Sequence, residues 1–206
     1  MNITVIDYGL GNITSVQRAF ERCGACVKRT RDPRDIHAAE AVVLPGVGAF
    51  RKAMENLDSM GFTSPLKDYL IRRRPYLGIC LGLQVLFSGS REHGFTPGLG
   101  IFKGKAEKIP PGVKVPHMGW NRVHPVPSGG GDRMFEGIPS GTFFYFDHSY
   151  CVSADEDSSA AVTEYGVSFL AAAADKGVWG VQFHPEKSSV AGLRLIENFI
   201  RFCDAR

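Results

Sequence analysis

The feature that most constrains how this chain can fold is Cys80. It has a glycine two residues away on each side and lies where a strand-like run meets a helix-like run. Residues 76–79 are short and apolar, Cys80 follows them, and residues 81–87 carry apolar side chains at helical spacing. A Gly-x-Cys-x-Gly turn at such a junction is typical of a nucleophile elbow, because the glycines remove side chains that would clash in the sharp reversal. The helix N-terminus beneath Cys80 favours the thiolate, so Cys80 is a candidate nucleophile. The alternative is a cysteine that serves as a small buried apolar side chain.

A second candidate lies near the C-terminus, where residues 178–186 read VWGVQFHPE. This pattern predicts a strand over 178–183 that delivers His184 at its end, since Pro185 stops the hydrogen-bond ladder. A histidine that acts as a general base needs an acceptor on its second ring nitrogen, and Glu186 is close enough in sequence to be that acceptor. The alternative is a solvated polar strand end.

A third candidate follows the apolar run 41–44, which ends in the Pro-Gly-Val-Gly sequence of residues 45–48. Such a turn leaves backbone N–H groups free, and acyl-transfer chemistry needs donors of this kind where the oxyanion develops. We expect donors from the Val47–Gly48 turn and from the backbone of Leu81, the residue after the nucleophile. A plain glycine turn is the alternative.

The remaining pattern predicts an α/β fold of a single domain over residues 1–206. The expected fold has a doubly wound, mostly parallel central sheet flanked by helices, with antiparallel strands added in the second half. Strands are predicted at 2–7, 25–30, 41–45, 76–79, 101–108, 113–123, 142–147, 160–165, 168–174 and 178–183. Helices are predicted at 14–22, 49–60, 64–74, after Cys80 and at 188–202. Residues 128–132 (SGGGD) predict a hairpin tip, without the Lys-Ser/Thr ending of a phosphate loop.

Composition and charge restrict the possible partners. A formal net charge of +3 over 206 residues gives no reason to expect nucleic acid or an acidic membrane surface as a partner. No apolar run approaches the ~20 residues that span a bilayer, and the chain begins directly with a strand, so we expect a cytoplasmic protein. Cys23 and Cys26 form a nominal C-x-x-C, but it straddles a helix end, where a redox or zinc role is not expected.

Glycine turn, elbow and His-Pro-Glu, in this chain order, resemble the class I (triad) glutamine amidotransferases. The resemblance implies the fold described above, a catalytic triad of Cys80, His184 and Glu186, and no cofactor or metal. It also implies that Gln84 contacts the bound glutamine and that Glu92 pairs with its ammonium group. The backbone of His148, Ser149 and Tyr150 would hold its carboxylate end. On chemistry alone, Glu92 is equally well an exposed carboxylate, and Gln84 a helix position near the site.

Three further segments are similar to one branch of that family, the glutaminase subunits of imidazole glycerol phosphate synthases. They are residues 7–12 (DYGLGN), 115–121 (VPHMGWN) and 145–150 (YFDHSY). The resemblance implies a heterodimer with a (β/α)₈-barrel cyclase subunit, which receives the ammonia in histidine biosynthesis. Asn12, Trp120 and Tyr145 would lie on the docking face; the alternative of an ordinary core aromatic is stronger for Tyr145, which lies in an alternating aromatic strand. We also expect that the oxyanion turn is not preformed in the isolated chain, since an uncoupled glutaminase would waste glutamine.

Two other functions stay open at this point. One is a glutaminase subunit of another pathway, such as pyridoxal phosphate synthesis, on the same scaffold. The other is a non-catalytic regulatory subunit, against which the three competent triad side chains argue. Asp147 departs from the apolar residue usual in relatives, and we expect it to have a modest effect on pH response or loop motion.

Overall fold

The computed structural model describes residues 1–127, 133–153 and 158–205, so the predicted hairpin tip at 128–132 lies outside the described residues. The strands are β1 (Asn2–Ile6), β2 (Cys26–Thr30), β3 (Ala41–Gly46), β4 (Tyr76–Cys80), β5 (Gly89–Ser90), β6 (Thr96–Pro97), β7 (Lys105–Lys108), β8 (His117–Pro125), β9 (Thr142–His148), β10 (Tyr150–Val152), β11 (Ser159–Glu164), β12 (Ser168–Asp175) and β13 (Val178–Val181). The helices are α1 (Ile13–Arg22), α2 (Asp35–Ala38), α3 (Phe50–Ser59), α4 (Thr63–Ile71), α5 (Leu81–Gln84) and α6 (Ser189–Asp204), with a 3₁₀ turn at Pro185–Lys187.

Among the described residues, nine strands form the central sheet, in the order β2-β1-β3-β4-β13-β12-β11-β8-β9. From β2 to β13 each strand is parallel to its neighbour. From β13 to β9 each is antiparallel. The chain passes from β1 to β2 at one edge of the sheet and then crosses to β3, on the other side of β1. This change of direction is the doubly wound pattern. The predicted fold class is confirmed, and a smaller sheet in the order β10-β7-β5-β6 lies beside it.

Helices cover both faces of the parallel half because successive strand residues point to opposite sides. Val5 and Val43 pack in one apolar cluster with residues of α1 and α6. Ile6 and Leu44 pack in a second cluster with residues of α3 and α4. The carboxyl edge of the parallel strands is left open between these layers, and it is where such folds bind ligands.

Several predicted boundaries were wrong, and the reasons are non-local. The helix after Cys80 ends at Gln84, and the chain turns there because the carbonyl of Leu86 accepts hydrogen bonds from Ile101 and Phe102. Because of the same contacts, the strand predicted at 101–108 begins only at Lys105. The strands β5, β6 and β10 are two or three residues long and had no detectable local pattern. No helix among the described residues is both long and apolar enough to cross a membrane.

Candidate active site

Cys80 occupies the sharp junction between β4 and α5 in a strained backbone conformation. Its φ is 55° and its ψ is −106°, a region that costs a non-glycine residue about 1–3 kcal/mol. A Cβ on Gly78 would collide with the carbonyl oxygen of Gly82, and a Cβ on Gly82 would collide with the carbonyl oxygen of Leu44. Both glycines are therefore needed for α5 to pack directly on β3 and β4. This packing holds Cys80 at the carboxyl edge of the sheet.

His184 follows β13, the strand beside β4, and reaches the same edge. Its backbone N–H donates to the carbonyl of Tyr145 at 2.8 Å. Its ring Nδ1 lies 2.8 Å from Oε1 of Glu186, and the two side chains are only 3% and 2% exposed. A carboxylate accepts, so Nδ1 carries the proton, and Nε2 has no hydrogen-bond partner among the described residues. The free nitrogen is thus the one available for proton transfer.

The pKa of His184 depends on its interactions with Cys80 and Glu186. Burial alone lowers the pKa of His184, but Cys80 and Glu186 outweigh burial and raise it above its usual range. Nε2 and Sγ are close enough to interact although they are not hydrogen-bonded in this conformation. The arrangement therefore favours a protonated imidazole beside the sulfur of Cys80, and such a neighbour activates a cysteine nucleophile.

A cleft of about 340 Å³ opens beside Cys80. It brings together the residues predicted for the oxyanion and the substrate: Val47, Gly48, Leu81, Gln84, Glu92 and the segment 148–150. Pro116 and Asp147 also line it. Residues as far apart in sequence as Val47 and Tyr150 therefore share one small cleft.

Comparison with known proteins decides the family. The family description "Glutamine amidotransferase class-I" matches residues 4–202. An "Imidazole glycerol phosphate synthase subunit HisH" of Moorella thermoacetica is 50% identical over 199 residues, covering 96% of this chain and 93% of that protein. The chain belongs to the class-I glutamine amidotransferases and, among them, to the HisH family.

A second curated relative supports the assignment, and a solved structure supports the fold. The HisH of Methanothermobacter thermautotrophicus is 44% identical over 203 residues, covering 98% of this chain and all of that protein. The solved structure of the Trypanosoma brucei CTPS glutaminase domain with bound acivicin covers 100% of this chain and 94% of that one, with a TM-score of 0.71. At 16% identity, that likeness concerns the fold alone.

In this HisH-family chain, Glu92 has a structural partner in addition to its predicted substrate role. Its Oε2 accepts a hydrogen bond of 2.7 Å from the backbone N–H of Phe50. Phe50 begins α3 directly after the Val47–Gly48 turn, in which Gly48 has a φ of 102°. Glu92 therefore anchors the end of the turn that we expect to supply an oxyanion donor, and it faces the cleft at the same time.

Gln84 is nearly buried, and its amide nitrogen is fully used. Nε2 donates to the carbonyl of Tyr150 at 2.9 Å and to Oε1 of Gln182 at 3.0 Å. The Gln84 amide has two N–H groups, so these contacts leave its oxygen as the atom free to meet a substrate.

The buried side chains of His117 and His148 form a hydrogen-bonded chain that ends on the backbone of the segment 148–150. Nδ1 of His117 lies 3.0 Å from Nε2 of His148, whose Nδ1 lies 2.9 Å from the carbonyl of Tyr150. The carbonyl only accepts, so His148 carries its proton on Nδ1 and accepts from His117 on Nε2. Burial lowers the pKa of His117 to about 4 and that of His148 to about 3. Both rings are therefore neutral at neutral pH.

The predicted docking residues lie apart from the cleft. Trp120 on β8 is 52% exposed and meets the half-buried Tyr145 of β9 edge to face, with 6.2 Å between ring centroids. The Nζ of Lys187 lies 5.4 Å from the Tyr145 ring centroid. Asn12 is exposed before α1, where its side chain accepts from the N–H of Ser15. The contacts of these residues within the described part of the chain assign them no partner protein, so their docking role stays a prediction.

Sequence reasoning missed Gln182, His117 and the second role of Glu92. Gln182 had a signal, because it is a polar residue inside the apolar run 178–183, two positions before His184 and on the same face of the strand. The bond from Phe50 to Glu92 joins residues 42 positions apart and had no signal in sequence. The cysteines at 23 and 26 are free thiols, and no cluster of three metal-ligating side chains occurs in the described part of the chain.

Proposed function

We propose that this chain is the glutaminase subunit of an imidazole glycerol phosphate synthase, formed by the whole of residues 1–206. It hydrolyses glutamine to glutamate and ammonia in histidine biosynthesis. The ammonia passes to a (β/α)₈-barrel cyclase subunit that makes imidazole glycerol phosphate and aminoimidazole carboxamide ribotide. The observation that carries the proposal is the strained Cys80 at a polar cleft, beside a buried His184–Glu186 pair, in a chain of the HisH family.

The first half-reaction forms a thioester. The Cys80 thiolate attacks the side-chain amide carbon of glutamine, and the carbonyl oxygen becomes an oxyanion. The backbone N–H of Leu81 and a donor from the Val47–Gly48 turn stabilise that oxyanion. Loss of one such donor typically lowers kcat by a factor of about 10²–10³. The C–N bond then breaks as His184 gives its Nε2 proton to the leaving nitrogen, which departs as ammonia.

The second half-reaction regenerates the enzyme. His184, now neutral, takes a proton from water, and the oxygen attacks the thioester carbon. The C–S bond breaks, glutamate leaves, and the thiolate is restored beside the imidazolium. Glu186 keeps the proton on Nδ1 throughout, so that Nε2 is always the nitrogen that exchanges protons.

The cleft accounts for recognition of an amino acid whose ammonium and carboxylate groups share one α-carbon and whose neutral amide lies at the other end. Oε1 of Glu92 faces the substrate ammonium, since Oε2 already holds the N–H of Phe50. The oxygen of Gln84 accepts from a substrate N–H, and backbone N–H groups of the segment 148–150 hold the carboxylate.

A separate acceptor subunit follows from the chemistry of ammonia, which would be protonated and lost if released into water. The exposed Trp120 and the Tyr145–Lys187 contact provide an aromatic and cationic patch suited to an interface anchor. The backbone carbonyl of Tyr145 also accepts a hydrogen bond from the backbone N–H of His184. A partner bound at Tyr145 would therefore lie close to the catalytic base. We further propose that the Val47–Gly48 turn adopts its active form only in the complex.

The test is the rate of glutamate release by the chain alone, with a barrel cyclase subunit, and with that subunit plus its nucleotide ligand. We expect low activity alone and a rise of orders of magnitude in the liganded complex. Cys80→Ala should abolish activity in every condition, and Cys26→Ala, which changes an exposed thiol, should leave it intact.

Two outcomes would contradict the proposal in different ways. High activity alone, unaffected by the cyclase, would keep the triad but reject the histidine pathway in favour of another glutaminase, such as that of pyridoxal phosphate synthesis. Undiminished hydrolysis in Cys80→Ala would reject the catalytic role and favour a regulatory subunit.

A further inference from the structure

Gln182 is a fully buried amide between the nucleophile and the cleft wall. It is 0% exposed, and it follows β13 in the segment that leads to His184. Its Nε2 lies 3.5 Å from Sγ of Cys80, a normal separation for an N–H···S hydrogen bond, and its Oε1 lies 3.0 Å from Nε2 of Gln84. Burying an amide is costly unless its groups are hydrogen-bonded, so this placement requires both contacts.

The orientation of the Gln182 amide is fixed from outside. The carbonyl of Tyr150 can only accept, so the end of Gln84 that contacts it, at 2.9 Å, is the amide nitrogen. That nitrogen also faces Gln182, so the facing atom of Gln182 is its oxygen. The NH₂ group of Gln182 is therefore directed at the sulfur of Cys80.

We propose that Gln182 is a catalytic residue that donates a hydrogen bond to the Cys80 thiolate, and that Gln84 is the positioning residue that orients it. The role in turnover rests on the proposed glutaminase function. His184 supplies a charge to the sulfur without a hydrogen bond in this conformation, whereas Gln182 supplies a directional donor.

The donor acts differently on the states of the reaction. A hydrogen bond to a charged acceptor is about twice as strong as one between neutral groups. The thiolate carries a full charge and the thioester sulfur almost none, so the bond is strong before attack and weak in the thioester. It becomes strong again when the thiolate leaves, so Gln182 assists both formation of the nucleophile and its departure.

Other ionisable groups surround Cys80 and stay unchanged in the test. His184 faces it from the turn after β13, and Tyr8, after β1, has a pKa raised by burial and by the charge of Cys80. The carbonyl of Asp147 on β9 lies 4.0 Å from Sγ, and Glu92 and His148 line the same cleft. Because each variant differs from the wild type at one residue, the effects of these groups on Cys80 are common to both proteins in every comparison.

The experiment measures alkylation of Cys80 by iodoacetamide from about pH 4 to about pH 9, followed by mass spectrometry of the peptide that contains Cys80, because only the thiolate reacts. It uses the full chain and no glutamine, so it succeeds or fails independently of the proposed function. Gln182→Met keeps the side-chain length and removes the donor. We expect the midpoint of the alkylation profile to rise by about one pH unit, a tenfold loss of thiolate below the midpoint.

Two further variants make the result decisive. Gln84→Met leaves the Gln182 amide in place but removes its orienting partner, and should raise the midpoint by a smaller amount. Gln17→Met changes a glutamine on α1 that bonds only Glu21 among the described residues, and should leave the midpoint at the wild-type value. Circular dichroism establishes that each variant is folded.

An unchanged midpoint in folded Gln182→Met would overturn the proposal, because a structural role alone does not alter thiolate formation. If Gln182→Met does not fold, Gln84→Met decides, and a wild-type midpoint there overturns the proposal equally. If the midpoint rises in Gln182→Met but the wild-type chain shows no glutaminase activity with the cyclase, the hydrogen bond is supported and the proposed function is rejected.

Discussion

The two halves of the cleft are built by different physical means. On the parallel side, the thiol of Cys80 and the backbone groups of the Val47–Gly48 turn and Leu81 are positioned by glycines that let α5 and the strands approach closely. On the antiparallel side and its neighbouring strand, the site is built from buried polar side chains that bond one another. The bonded pairs are His117 with His148, His184 with Glu186, and Gln182 with Gln84, which reaches across from α5 on the parallel side.

Because of this difference, substitutions in one region should affect stability and activity together, and substitutions in the other should affect mainly activity. A backbone-built region depends on the absence of side chains, so an added methyl group disturbs packing and function together. A region built from side-chain hydrogen bonds keeps its shape when one partner is replaced by an isostere, but it loses a charge or a proton position. The following predictions test this contrast, beginning with the largest expected effect.

Gly82→Ala should affect both stability and activity. Its Cβ would collide with the backbone carbonyl of Leu44, which cannot move without shifting β3. We expect a loss of about 4 kcal/mol in the free energy of unfolding, at the upper end for overpacking, together with loss of glutaminase activity. Urea denaturation measures the first. Gly24→Ala, where a Cβ meets open space, should cost only the ~1–2 kcal/mol of a left-handed backbone. Equal costs at the two glycines would contradict the packing argument.

Glu186→Gln should affect activity with little change in stability. The amide oxygen can still accept from Nδ1 of His184, but the charge that helps to raise the pKa of His184 is gone. We expect kcat in the cyclase complex to fall by about 10²–10³ and the alkaline limb of the pH–rate profile to move to lower pH. Glu197→Gln, at an exposed carboxylate of α6, serves as the control. An unchanged alkaline limb would contradict the role of the Glu186 charge.

Acid should destabilise the chain through its two neutral histidines. The pKa values of His117 and His148 are held at about 4 and about 3, below the ordinary 6.5 of the unfolded state. The unfolded chain therefore binds more protons as pH falls from about 6.5 to about 4, and each histidine contributes up to about 1.4 kcal/mol of lost stability per pH unit.

Urea denaturation of His117→Gln at several pH values checks this expectation. The variant should show a shallower fall in the free energy of unfolding over that pH window. The exposed His37→Gln should fall as steeply as the wild type. Identical slopes in His117→Gln and the wild type would show that His117 does not titrate on unfolding.

Asp147→Val should have the smallest effect. Asp147 is half-buried on the cleft wall, so solvent screens its charge and it needs no buried partner. We expect kcat/KM to change by less than about threefold, with a small displacement of the pH–rate profile. An unchanged pH–rate profile would reject even this modest role.

Prediction from sequence worked best where one segment carries its own physical reason. The glycines at 78 and 82 indicated the elbow, and the structure places Cys80 in it. Helix α1 and the strands of the parallel half begin and end within two residues of their predicted bounds. It worked worst for β5, β6 and β10, because strands so short are defined by their neighbours rather than by a repeating pattern.

The sequence by itself determined the fold class, the nucleophile elbow and the pairing of His184 with Glu186, because each depends on local backbone geometry or on residues within a short loop. Only the tertiary structure decided that Gln182 bonds the sulfur, that Glu92 holds the start of α3, and that His117 supports His148. Those contacts join residues 31 to 102 positions apart. Their partners are chosen by which strands lie side by side in the sheet, and the periodicity of a single strand carries no information about its neighbour.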